Sequence, residues 1–141
     1  MTSSDWQMYQ FLKTQGNYDD TVMDLPVLQI VSPRTINDWY AAALPNFAAF
    51  ADKRGFINIQ NINFANVNPE PRYKLISDTL NLDLISPADA SFSVSVSQVA
   101  SAIKSNQIKY VVSGRNLVAL EKFGLLSPLT RFGGNIIYLV R

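Results

Sequence analysis

A chain of 141 residues, 48% of them apolar, has the size of one domain with a single buried core. Its 12 basic and 11 acidic residues leave a formal charge of +1, which argues against broad electrostatic binding of nucleic acid, where clustered Lys and Arg must displace counterions. Cysteine and histidine are both absent, which removes thiolate nucleophiles, disulfides, the common zinc sites and every Ser-His or Cys-His relay.

In chain order, Asp5 precedes "WQMYQFLKTQ", where Met8, Phe11 and Leu12 recur at helical spacing and Gly16 follows, so the spacing predicts an opening helix. "TVMDLP" reads as a short strand stopped by Pro26. In "SPRTINDWYAAALP", Ser32 and Pro33 suit a helix start. Ile36, Trp39, Tyr40, Ala43 and Leu44 then share one face until Pro45. "NFAAFA" is a short apolar run before the charged triplet Asp52, Lys53 and Arg54, as expected of a buried strand entering a loop.

From Arg54 to Arg72, "RGFINIQNINFANVNPEPR", Asn58, Asn61, Asn63, Asn66, Asn68 and Gln60 are threaded between apolar residues. The alternation has period two and slips twice, which predicts extended chain with bulges at a sheet edge, or a packed loop. Helices are expected from about Glu70, with Tyr73, Ile76 and Leu80 on one side, and from about Val96, capped by Ser95. "IKYVVSG" reads as a strand and "NLVALEKFG" as a helix with Asn116 as cap and Gly124 as stop. "LTRFGGNIIYLVR" reads as a hairpin turning at "GGN". The alternation of elements predicts an α/β domain with a mostly parallel sheet flanked by helices and closing with a C-terminal antiparallel hairpin.

Candidate chemistry is sparse. The "SGRN" turn sets Gly114 and Arg115 at a helix N-terminus, where backbone donors can hold an anion. The alternative is an ordinary βα turn, and without G-x-G-x-x-G no nucleotide cofactor is expected. Asp24 falls at the end of the first strand, where open α/β sheets place functional groups. Arg34, Asp52 and Arg54 lie just beyond other element ends, and residues of these types also form surface ion pairs. Asn58 and Asn61 can orient a polyol but cannot transfer its proton. Trp6, Tyr9, Trp39 and Tyr40 could face sugars, although their spacing suits core packing. These residues suit binding better than catalysis, and no catalytic residue, metal or cofactor is assigned.

Four segments together resemble the extracytoplasmic C-terminal domain of bacterial polytopic membrane glycosyltransferases of the dolichyl-phosphate-mannose mannosyltransferase-like kind. They are "WQMYQFLKTQGNYDDTVMDLP", "LPNFAAFADKRG", "IKYVVSGRN" with "LEKFGLL", and "GGNIIYLVR". The stretch from Ile57 to Asn68 has no counterpart in that pattern. The resemblance implies a non-catalytic accessory domain that assists recognition of a glycan or protein acceptor. It also implies a periplasmic or other extracytoplasmic location and, as partner, the membrane-embedded catalytic part of the same chain. A free-standing small-molecule enzyme using Asp24, Arg34 and Arg54, and a cytoplasmic protein-interaction module, are the competing expectations. No apolar run reaches the roughly 20 residues of a spanning helix, and "MTSSDWQMYQ" lacks the pattern of a signal peptide.

Overall fold

The computed structural model describes residues 3–25, 47–57, 70–84 and 95–141. The expected helix through Trp39 and Tyr40, and the asparagine-rich stretch from Asn58 onward, lie outside the described residues. Helix α1 (Ser3–Thr14) comes first and buries Met8, Tyr9 and Leu12 on one face. Asp5 in its first turn and Lys13 in its last complement the helix dipole. Strand β1 (Thr21–Leu25) follows, then helix α2 (Phe47–Ala51), strand β2 (Arg54–Gly55), and helices α3 (Glu70–Leu84) and α4 (Val96–Ser105). Strand β3 (Ile108–Ser113), helix α5 (Val118–Phe123) and the hairpin of β4 (Leu126–Phe132) and β5 (Asn135–Val140) are the last of the described elements.

The strands form one mixed sheet in the order β2-β1-β3-β5-β4. β1 pairs in parallel with β2 and with β3, while β5 runs antiparallel to both β3 and β4. The chain is thus α/β, with a parallel half and a closing antiparallel hairpin, as the alternation of elements predicts. Strand period two sends Met23, Leu25, Ile108, Val111, Ile136, Tyr138 and Val140 to one face, under α3, α4 and α5. Val22, Tyr110, Val112 and Ile137 go to the other, under α1 and α2. The slip between Thr21 and Val22, opposite Ile108 and Tyr110, lets Ile108 and Tyr110 point to opposite faces.

Local signals explain most boundaries. Ser95 caps α4 by accepting from the Gln98 amide at 3.4 Å. Gly124 ends α5 in the left-handed region at φ 87. Pro128 is accommodated because β4 is an edge strand, and the register shifts between Pro128 and Thr130. Gly133 opens the hairpin turn with φ 58, and a Cβ there would meet the Ser4 hydroxyl at 2.9 Å. The start of α1 therefore rests against the hairpin turn.

One expected element is corrected. The apolar run "NFAAFA" is not a strand: Phe47–Ala51 is the helix α2, with Phe47 and Ala51 buried four residues apart. Alanine-rich sequence favours helix, and the core contact at i and i+4 selects it. Phe47 and Phe50 then pack on the Tyr9 ring, with centroids 5.5 Å and 5.3 Å away. The strand at this place is the shorter β2, reached through Asp52 at φ 52.

Candidate functional site

In an open α/β sheet, the crevice lies where neighbouring parallel strands send their connections in opposite directions. Here β1 leads to β2 on one side, and β3, on its other side, leads away through α5 to the hairpin. The carboxyl ends of β1 and β3 meet with Leu25 opposite Ser113. Two sequence candidates stand at this edge: Asp24, one residue before the end of β1, and Arg115, two residues beyond β3.

Asp24 belongs to the α1 side of the sheet, level with Val112 and, beyond it, Ile137. These neighbours are apolar and buried, so water reaches the half-buried carboxyl poorly. Burial first and the Asp5 carboxylate of α1 second push Asp24 up from 3.8 to about 7. Asp24 therefore carries a proton for part of the time at neutral pH. The exposed Trp6 is the next residue of α1 and meets Phe50 edge to face at 6.2 Å.

The β3-α5 turn is closed by its own hydrogen bonds. The Ser113 hydroxyl donates to the Arg115 carbonyl at 2.7 Å and accepts from the Arg115 amide at 3.2 Å. The Leu117 amide donates to the Tyr138 hydroxyl at 3.1 Å, and the Ala119 amide to the Asp83 carboxylate at 3.1 Å. Three amides that an anion would use here are thus engaged within the protein. The cap position also differs from expectation: Leu117 occupies it without a side-chain bond. With Leu117 held by Tyr138, Asp83 from α3 serves the first turn instead.

Asn116 is consequently left to another task. Its side-chain oxygen accepts from the Arg131 guanidinium at 3.4 Å. The two residues line a cavity of about 330 Å³ with Glu121, Pro128, Leu129, Thr130 and Ile136. The β3-α5 turn, α5 and both hairpin strands near their turn contribute. Tyr138 is fully buried nearby, and its hydroxyl is raised above its ordinary value by burial, with the Glu121 carboxylate adding to the rise. The cavity sets amide, hydroxyl, carboxylate and guanidinium groups beside apolar surface, the mixture that orients a small polar ligand.

The remaining sequence candidates fall elsewhere. Arg54 pairs with Thr21 at the opposite end of β1, about 10 Å of strand from Asp24. Its guanidinium bonds the Asp19 carboxylate at 2.5 Å, and both side chains are largely exposed. Asp52 forms the turn after α2, where its carbonyl accepts from the Asp19 amide at 2.8 Å. Its neighbour Lys53 is buried. Arg34, Asn58 and Asn61 lie outside the described residues. No local sequence pattern marks Asp5 as a neighbour of Asp24, or sets apart Glu121, Thr130 and Arg131. One usable signal was Tyr138, since a tyrosine inside an apolar strand must find a polar partner.

Among the described residues no group of His, Cys, Asp or Glu is placed to hold a metal ion, and no helix is long and apolar enough to cross a membrane. No protein-family model, curated protein or solved structure matches the chain.

Proposed function

We propose that this chain is a non-catalytic accessory domain of a membrane glycosyltransferase and that it recognises an acceptor glycan at the carboxyl edge of its sheet. The observation that carries the reading is the cavity of about 330 Å³ lined by Asn116, Glu121, Thr130 and Arg131 beside Pro128, Leu129 and Ile136. A sugar ring has a rim of hydroxyls that both donate and accept, and flatter C–H faces that pack on apolar surface. Asn116 and Thr130 do both, Arg131 donates and Glu121 accepts, so the lining matches that rim. The similarity of four segments to the extracytoplasmic domains of such enzymes supports the same reading. It implies a periplasmic location and the membrane-embedded part of the same chain as partner.

Calorimetric titration of the domain with oligosaccharides and with lipid-phosphate head-group analogues tests the proposal. Saturable binding of an oligosaccharide, weakened about tenfold by Arg131→Ala, is expected, a loss of roughly 1.4 kcal/mol. Absence of heat at about 10 mM ligand, well above the concentration that a millimolar site requires, would oppose it.

A second reading, the small-molecule enzyme expected to use Asp24, Arg34 and Arg54, loses Arg54 to the opposite end of β1 and keeps one observation in its favour, the Asp24 carboxyl at about 7 near the end of that strand. A carboxyl poised there suits proton transfer in a small-molecule enzyme. Asp24→Asn separates the two readings. It abolishes turnover in an enzyme that uses this proton and leaves glycan binding in the α5 cavity intact.

A further inference from the structure

At the other end of the α5 face lies a groove unrelated to the carboxyl edge. Its volume is about 310 Å³, and it runs between α4 and the end of α5. Ser97, Ala100, Ser101 and Lys104 line one wall, and Phe123, Gly124, Leu125 and Arg141 the other. The helical spacing of Ser97, Ser101 and Lys104 sets them along one side of α4. The Arg141 amide donates to the Leu125 carbonyl at 2.8 Å, which fixes the backbone of the second cation.

Three features point to an anion. First, every polar side chain of the lining can donate a hydrogen bond, and the cationic Lys104 and Arg141 side chains outnumber the one α-carboxylate that Arg141 carries in the 141-residue chain. Second, neither cation has a partner among the described residues. Arg54 is paired with Asp19 and Lys74 with Asp78, whereas among the described residues neither Lys104 nor Arg141 has a side-chain hydrogen bond or ion pair. Third, Phe123 is 52% exposed at the rim, a large apolar ring in water where α5 ends. A point charge, a forked guanidinium and two hydroxyls line the same groove, the Ser97 hydroxyl also sharing a hydrogen bond with the Ser95 hydroxyl at 2.9 Å. That suits a tetrahedral phosphate better than a planar carboxylate.

We propose that this groove binds a small phosphate monoester carried on a flat ring, with Lys104, Arg141, Ser97 and Ser101 on the phosphate and Phe123 against the ring. The assignment is independent of the glycan reading, because the two sites share no lining residue.

Amide NMR titration of the 141-residue chain with phenyl phosphate tests it, with inorganic phosphate, phenol, benzoate and a phosphotyrosine peptide as comparisons. Phenyl phosphate is expected to give saturable shifts in residues 97–104 and 123–125. Lys104→Gln and Arg141→Gln should each weaken it about fivefold, and Phe123→Ala should weaken phenyl phosphate while leaving inorganic phosphate unchanged. These side chains sit at the surface, and unchanged amide spectra of the free variants establish that folding is preserved. Four results would overturn the proposal: no saturable shift at about 10 mM phenyl phosphate, equal binding of benzoate or phenol, no effect of combining Lys104→Gln with Arg141→Gln, or peptide binding about tenfold or more tighter than phenyl phosphate.

Discussion

On the face covered by α3, α4 and α5, the sheet buries a large apolar cluster running from Met23 and Leu25 through Val111 to Tyr138 and Val140. The face under α1 and α2 carries a smaller cluster, and there Asp24 shares the surface with Val22, Val112 and Ile137. One side is optimised for burial. The other gives up apolar area to hold a carboxyl near its neutral point beside Asp5. The contrast is one of stability: the larger cluster adds apolar burial, whereas a carboxyl is kept beside apolar neighbours only at a cost.

The largest test of this contrast is truncation in the two clusters. Ile103 and Leu12 are both fully buried, one on each side. Ile103→Ala is expected to cost about 4 kcal/mol and Leu12→Ala about 3 kcal/mol, read by urea denaturation. The reverse order would break the comparison. Next is the pH dependence of the α1 face. Asp24 binds its proton more tightly folded, at about 7, than unfolded, near 3.8. Between these values the native state holds more protons than the unfolded state, so stability falls as pH rises through roughly 4 to 7 and levels off above. The loss should amount to about 2–3 kcal/mol, discounted for the partial exposure of the carboxyl, and Asp24→Asn should flatten the curve. Stability that rises across this window would show that Asp24 is held as a carboxylate.

A smaller effect belongs to the burial face. Tyr138→Phe keeps the ring but leaves the Leu117 amide without its acceptor, at a cost of about 1–2 kcal/mol in denaturant melts. Faster hydrogen exchange at Leu117 should accompany it. The smallest is Arg54→Ala, which breaks an exposed ion pair with Asp19 and should change stability by no more than about 0.5 kcal/mol.

Much of the frame was legible in the sequence because its signals are local. Ser95 with Val99, Ala100 and Ile103 announces α4, Gly124 stops α5, and "GGN" between apolar runs gives the hairpin. The helix α2 was not legible, since a five-residue apolar run reads equally as strand or helix until Tyr9 supplies the contact that decides. β2 is too short for any period to be seen. The candidate site was legible in part. Asp24 could be placed at a strand end from its own surroundings, but its shift depends first on burial in the assembled sheet and second on Asp5, 19 residues earlier in the chain. Asn116, Glu121 and Arg131 come together only because the hairpin folds back beside α5. Pairing across such distances leaves no periodic trace.

In the reading proposed above, polar recognition is concentrated beyond the end of β3, beside α5 and the hairpin. Mapping amide shifts along the chain during an oligosaccharide titration tests it most directly. Perturbations are expected at Asn116, Glu121, Thr130 and Arg131, with the ion-paired Arg54 end of β1 unmoved. Shifts confined to the Asp19 and Arg54 end, or spread evenly over the surface, would contradict it.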